Sequence, residues 1–399
     1  MEIPVIQFPN ENKEFIDNPY PFLQKIREQS AVVLDEISSL QLITRFEDVK
    51  NVQTSKNFSS SSAEGFEQAS SSMIKKEDFE YFYKTEEFSL LNLEGQLHGD
   101  LRNLVAKAFS NRQVQELRPF MEFKSKELMN RLRGSEFDLL SDYAQPYSIA
   151  VIGKLLGVPE TMYDEFLDWS NKIVKMYDLK VSKDDAELAE KAAHDFYEFT
   201  LDLINQKIAK PEDDMITRLA NVTENDQRLT KNQIICTVIL LLNAGHEATV
   251  NTIGNSMVAL SRNNIETKNL HQQHNVKNII EELIRYDSPL QFFQRWVLED
   301  SIIGGYEIKK GSKVAILLGS ANRDKEAFDE PDTINFERSN LNHTSFGGGV
   351  HFCLGAHLAR LELEVSFNNL LDTSVNLREE PQRTGAFGIR GFKKVLVNI

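Results

Sequence analysis

Phe346-Gly347-Gly348-Gly349-Val350-His351-Phe352-Cys353-Leu354-Gly355-Ala356-His357-Leu358-Ala359-Arg360 is the stretch on which the fold turns. Three consecutive glycines let the backbone come close to something flat, where any side chain would intrude. Cys353 stands between this loop and a segment whose apolar residues Leu354, Leu358, Leu361 and Val365 recur at helical spacing, which predicts a helix over residues 354–371. A thiol at a helix N-terminus meets the positive end of the dipole and free N–H groups, which favour the thiolate, a soft metal ligand. The bland alternative is a buried structural cysteine, and the glycines on both sides of Cys353 argue against it.

Upstream, Thr230-Lys231-Asn232-Gln233 is a capping box. It opens a predicted helix over residues 234–260, long enough to cross a domain at 1.5 Å per residue. Midway lies Asn243-Ala244-Gly245-His246-Glu247-Ala248-Thr249. Gly245 costs such a helix about 1 kcal/mol relative to alanine, and Glu247 is an acid among the apolar residues 238–242 and Ile253, where burial without a partner is expensive. A packing glycine and a solvent-facing acid would also account for them. Further on, Glu282 and Arg285 share a helix face at i, i+3 and can pair. Arg338 follows in Phe336-Glu337-Arg338.

The remainder supplies context. The chain has 399 residues, 45 basic against 60 acidic, a net charge of −15. Such a surface repels phosphate backbones and argues against a nucleic-acid binder. The two cysteines, Cys236 and Cys353, allow neither a disulfide framework nor a four-cysteine zinc site. No basic-then-apolar leader and no apolar run of roughly 20 residues occurs, so neither a signal peptide nor a membrane anchor is expected, and the location expected is cytoplasmic. Helical spacing dominates residues 96–261. Strand-like texture marks residues 31–34, 40–44, 292–298, 301–308 and 313–318, and a short helix is expected over 22–29. Residues 59–89, serine-rich and then aromatic, read as an irregular functional loop or a solvated one. The expectation is one mainly helical α+β domain over residues 1–399, with small sheets at its flanks.

Phe346-x-x-Gly349-x-His351-x-Cys353-x-Gly355 resembles the haem-binding signature of the cytochrome P450 family, in which the cysteine is the proximal ligand of haem iron. The resemblance implies a P450-like fold with haem b, iron protoporphyrin IX, between the long helix and the cysteine loop. It makes Cys353 the metal ligand and gives cofactor contacts to Ala244, Phe346, Gly347, His351, Gly355 and Ala359. The haem propionates would be anchored by His98, Arg102, Arg295 and His351. Ala244 and Gly245 would form the oxygen groove, with Glu247 in a water-linked proton relay, so Gly245, Glu247, Ala248 and Thr249 are the candidate catalytic positions. Glu282, Arg285 and Arg338 are implied as fold support.

This chain departs from the family at two places. Ala248 stands where threonine is usual, and Thr249, one residue later, points about 100° further round the helix. Glu94-Gly95-Gln96-Leu97 replaces the acidic-proline-proline lead-in to His98, which leaves the start of that helix open. Substrate contacts are expected from the 59–93 loop, residues 169–179, the long helix and the turn at 385–388. The named pocket residues are Leu241, Ala244, Ala248, Leu290, Phe292 and Phe387, mostly apolar, which favours a small lipophilic substrate.

The resemblance implies a monooxygenase that uses O2, hydroxylating C–H bonds or epoxidising alkenes. No flavin or nicotinamide domain is encoded, so electrons would come from a separate ferredoxin-type donor to a monomeric enzyme. Arg102, Lys107, Arg112, His357 and Arg360 form either a local basic dock for that donor or a set of dispersed surface cations. The rival readings are a peroxide-using or non-hydroxylating haem-thiolate enzyme, a haem-based ligand sensor without turnover, and a protein whose cysteine is merely structural.

Overall fold

The computed structural model describes residues 2–61, 76–177, 181–224 and 226–399. Its axis is the helix Lys231–Arg262, about 48 Å long at 1.5 Å per residue. The capping box forms: the Gln233 N–H donates to Thr230 Oγ1 at 3.2 Å, and the Thr230 N–H donates to Gln233 Oε1 at 2.9 Å. The helix is apolar enough to cross a membrane by composition, but most of that window is buried inside the protein. Helices Gln145–Leu156, Val276–Tyr286 and Ala356–Leu370 pack around it within the largest apolar core.

The second element of the fold is a mixed six-stranded sheet. Its order is Val5–Ile6, Val32–Asp35, Gln41–Ile43, Lys313–Leu317, Phe292–Val297, Phe58–Ser59. The N-terminal strands join the late ones through a parallel pairing, Val314 opposite Gln41 and Ile316 opposite Ile43. Strand texture was legible in four of these segments but not in Val5–Ile6 or Phe58–Ser59, and the pairing across so much intervening chain was not legible at all. Smaller sheets form from Asn376–Leu377, Leu396–Asn398 and Glu136–Asp138, and from two hairpins.

Several boundaries move. The strand-like segment 301–308 is a hairpin, Ser301–Ile303 with Tyr306–Ile308, turned where the sequence places a turn, at Gly304 and Gly305, both at positive φ. The span expected to be all helix contains the strand Glu136–Asp138. The region expected to be irregular carries the helix Glu80–Glu86, whose first backbone N–H groups, those of Tyr81 and Phe82, are taken by the Glu190 carboxylate at 2.8 and 2.9 Å. Ser62 and the Ser70–Ser72 run lie outside the described residues.

Glu282 is the polar hub of the helical half. It is fully buried. It accepts from Arg285 Nε and Nη2 at 2.7 and 2.8 Å, from Arg338 Nε and Nη2 at 3.0 and 3.3 Å, and from the Asn335 N–H at 2.8 Å. Burial of three charges is tolerable because each is paired and hydrogen-bonded.

Candidate active site

The cysteine loop is held by the protein itself. The Cys353 N–H donates to the Phe346 carbonyl at 2.8 Å. Gly347 and Gly349 have φ of 72° and 60°, values that L side chains resist. A Cβ on Gly349 would stand 2.7 Å from the Gln53 carbonyl oxygen, and one on Gly348 would stand 3.2 Å from Gln53 Cβ. These two glycines therefore allow close approach to the end of helix Phe46–Thr54.

The following helix starts at Ala356, two residues later than expected. Cys353 remains half-buried and open. Burial raises its thiol above the ordinary range, while N–H groups of Gly355 and Ala356 and the charges of Arg102 and Arg360 pull it down. Burial wins, so the helix terminus by itself does not produce the thiolate expected from its dipole. A cation bound at the sulfur has to supply that compensation.

Around the loop lie donors without matching acceptors. His98, on helix Gly95–Ala108, is buried, and its Nε2 has no partner. Burial, with the nearby His351 and Arg102, lowers its pKa to about 4. Its ring centroid is 4.5 Å from that of His351. Arg295 donates only to the neighbouring Gln294 carbonyl at 2.8 Å, and no carboxylate among the described residues pairs with it. Arg102 donates to the Phe352 carbonyl. A buried imidazole whose Nε2 has no partner and a half-buried guanidinium with no ion-pair partner among the described residues suit the two carboxylates of haem, so the donor set fits that cofactor. His351 is differently engaged: its Nε2 lies 2.9 Å from Glu94 Oε1 and 3.3 Å from Ser60 Oγ. Glu94, which opens the unusual lead-in to His98, also accepts the Ser60 N–H and immediately precedes the helix whose start was open.

The long helix presents one open stripe. Leu242, Asn243, His246, Thr249 and Val250 are buried, whereas Leu241, Gly245, Glu247 and Ala248 are partly open and Ala244 is exposed. Residues 241, 244, 245 and 248 recur at i, i+3, i+4, i+7, the signature of one helix face. Burial raises the Glu247 carboxyl, and Asn251 Nδ2 donates to its Oε2 at 3.5 Å.

Two catalytic candidates are placed otherwise. A Cβ on Gly245 would come to 3.3 Å from Ile152 Cδ1, so the space that this glycine leaves serves close packing of helix Gln145–Leu156. Thr249 is buried and its hydroxyl donates back to the Gly245 carbonyl at 3.3 Å, in keeping with the expectation that it cannot simply take the place of the missing threonine. Sequence reasoning passed over His246 and Asn243. Both are buried with polar atoms lacking partners, and burial lowers the His246 pKa to about 4, keeping the ring neutral.

The pocket assignments divide in the same way. Leu241, Ala244 and Ala248 lie on the open stripe. Phe387 is apart from that stripe: it is buried in an aromatic cluster, with ring centroids 5.2 Å from Phe8, 5.1 Å from Phe15 and 5.8 Å from Phe292, and there it lines a small cavity beside the sheet with Phe8, Phe292 and Leu317. Phe292 is partly open while stacked on it, and Leu290 is partly buried against the sheet core and bridged to Ile389. Trp169 packs on Phe166 and Phe196 with centroids at 5.3 and 5.4 Å, and Leu179 lies outside the described residues.

The expected basic dock is largely neutralised. Lys107 pairs with Glu224 at 3.1 Å, Arg112 with Glu116 at 3.0 Å and Arg360 with Glu281 at 2.7 Å. What the loop exposes instead is apolar: Val350 at 62% and Phe352 at 40%.

Comparison with known proteins agrees with this arrangement. The family model for cytochrome P450 matches residues 63–374. The polyketide biosynthesis cytochrome P450 PksS of Bacillus subtilis (strain 168) is 32% identical over 376 residues, covering 92% of this chain and 91% of that protein. The steroid C26-monooxygenase of Rhodococcus jostii (strain RHA1) is 30% identical, covering 90% and 75%. Among solved structures, P450BioI in complex with acyl carrier protein ligated to hexadec-9Z-enoic acid superposes with a TM-score of 0.88 at 29% identity, covering 97% of this chain and 99% of that one. With its motif, its fold and most of its length shared in this way, the chain belongs to the cytochrome P450 family and is a haem-thiolate monooxygenase that binds haem b.

Proposed function

We propose that this enzyme inserts one oxygen atom from O2 into a C–H bond or alkene of a small lipophilic molecule, over residues 1–399 acting as one unit, with electrons from a separate ferredoxin-type protein. The observation that carries the proposal is the half-open Cys353 together with the buried His98 Nε2, which has no partner, and the half-buried Arg295, which has no ion-pair partner among the described residues. Cys353 would hold the iron; His98, Arg102, Arg295 and His351 would hold the propionates; and Ala244, Phe346, Gly347, Gly355 and Ala359 would frame the ring. When bound, haem supplies the activation of O2 and the electron sink, which no side chain here can provide.

The chain's own residues would bind substrate, exclude water and carry protons. The apolar stripe of Leu241, Ala244 and Ala248, with Leu290 and Phe292, selects a lipophilic substrate. Relatives named for polyketide and steroid chemistry, and one solved with an acyl chain, place fatty acyl, polyketide and steroid skeletons first for testing. Glu247, whose carboxyl is raised by burial, is the proton-carrying acid. With Ala248 in the usual threonine position and the Thr249 hydroxyl turned back on its helix, water or a hydroxyl of the substrate would complete proton delivery. The donor would dock over Val350 and Phe352, beside Cys353.

A Soret titration with such compounds tests the reading: low- to high-spin conversion identifies those that displace the distal water. Cys353→Ser should abolish the thiolate-type carbon monoxide spectrum. Ala248→Thr should raise product formed per electron consumed, and an unchanged ratio would count against the proton-delivery proposal. The committed Thr249 hydroxyl also favours a second reading, a peroxide-using enzyme. Turnover with peroxide and none with any ferredoxin system would select it.

A further inference from the structure

Arg360, seven residues beyond Cys353, is engaged in a specific cluster. Its Nε and Nη2 donate to the two oxygens of Glu281 at 2.7 and 2.9 Å. Its guanidinium lies over the Phe346 ring, 4.2 Å from the centroid. Glu281 Oε2 also stands 3.2 Å from His343 Nε2. His343 Nδ1 accepts the Ser345 N–H at 3.2 Å, so the neutral ring carries its proton on Nε2, the atom facing Glu281. Despite burial, Arg360 and His343 hold the Glu281 carboxyl at about 2, fully charged at neutral pH. The residue beneath the guanidinium is Phe346, whose carbonyl accepts the Cys353 N–H.

We propose that Glu281 and Arg360, braced by His343, are a positioning pair that sets how strongly the Cys353 sulfur donates to iron, and hence the one-electron reduction potential of the bound haem. The proposal rests on the assignment of Cys353 as the iron ligand. A positive charge near the sulfur withdraws electron density and favours the reduced iron. Glu281 cancels that charge, and the two-pronged bond fixes the plane in which the cancellation occurs. The sulfur therefore responds to a difference between two opposite charges, and removing either one shifts the potential in a direction set by the charge that remains.

The test is a spectroscopic redox titration of purified holoprotein, with carbon monoxide spectra recorded in parallel. Glu281→Gln leaves Arg360 uncompensated and should raise the potential. Arg360→Gln leaves Glu281 uncompensated and should lower it. Each shift should change the reduction equilibrium by about tenfold, or about 59 mV for one electron. The double variant should return near the parent value, and Arg360→Lys, which keeps the charge, should stay close to it. A purely structural role would move both single variants in one direction or neither, and either outcome overturns the proposal. Arg360→Gln, at a partly exposed position, carries the sign test alone if Glu281→Gln fails to fold. If Cys353→Ser kept the thiolate spectrum, the ligand assignment would fall first, separately from these shifts.

Discussion

Glutamine at position 282 would leave the shape of the buried hub nearly intact and remove its charge. Glu282 and Arg285 are completely buried and Arg338 is 7% exposed. The carboxylate takes four guanidinium N–H bonds, and among the described residues it is the only ion-pair partner of either arginine. Backbone carbonyls of Asn322, Pro331, Thr333 and Asp329 satisfy other N–H groups, but they cannot neutralise two cations. Breaking a buried pair typically costs about 3–5 kcal/mol, because a charge is left without compensation. Here two are left, so Glu282→Gln belongs at the upper end of that range. A triple replacement by leucine and methionine should cost less than the single change, since it removes the charges along with the bonds. Urea unfolding of the holoprotein, followed by far-ultraviolet circular dichroism, measures both. The reasoning is refuted if Glu282→Gln unfolds within about 1 kcal/mol of the parent, or if the triple variant is the less stable one.

Three further outcomes are expected. Gly349→Ala should lower haem content per chain and the melting temperature of the holoprotein, because its Cβ would meet the Gln53 carbonyl at 2.7 Å and its φ is 60°; full haem occupancy would contradict this. Phe387→Ala should cost about 3–5 kcal/mol of stability while leaving substrate-induced Soret shifts unchanged, and weakened substrate binding without a stability loss would restore Phe387 to the pocket wall. Glu362 is buried on helix Ala356–Leu370, with a pKa raised by burial to about 8. Its folded state holds a proton that the unfolded chain releases near pH 4 to 5, so this stabilisation is complete below that range and is lost as pH rises toward 8. The slope approaches about 1.4 kcal/mol per pH unit. Glu362→Gln should flatten that fall, and identical pH profiles for the two proteins would rule it out.

Much of this protein is local, and local features are legible in a sequence. The capping box at Thr230 and Gln233, the pair Glu282 and Arg285, and the loop around Cys353 each depend on residues within a turn or two of one another. Backbone geometry then dictates who can meet whom. The family resemblance rests on such segments, and it held for the fold. What depends on distant segments was decided only in three dimensions. The Cβ direction at Gly349 matters because helix Phe46–Thr54 lies there. Arg360 is withdrawn from the free surface because Glu281, 79 residues away, is brought to it. Phe387 leaves the pocket because Phe8 and Phe15, from the opposite end of the chain, build an aromatic cluster around it. His98 and Arg295 are informative because folding left the buried Nε2 of the one without a partner and the half-buried guanidinium of the other on no more than a neighbouring backbone carbonyl. Composition records which charges a chain carries, whereas only packing determines which of them are left uncompensated, and it is those that a cofactor completes.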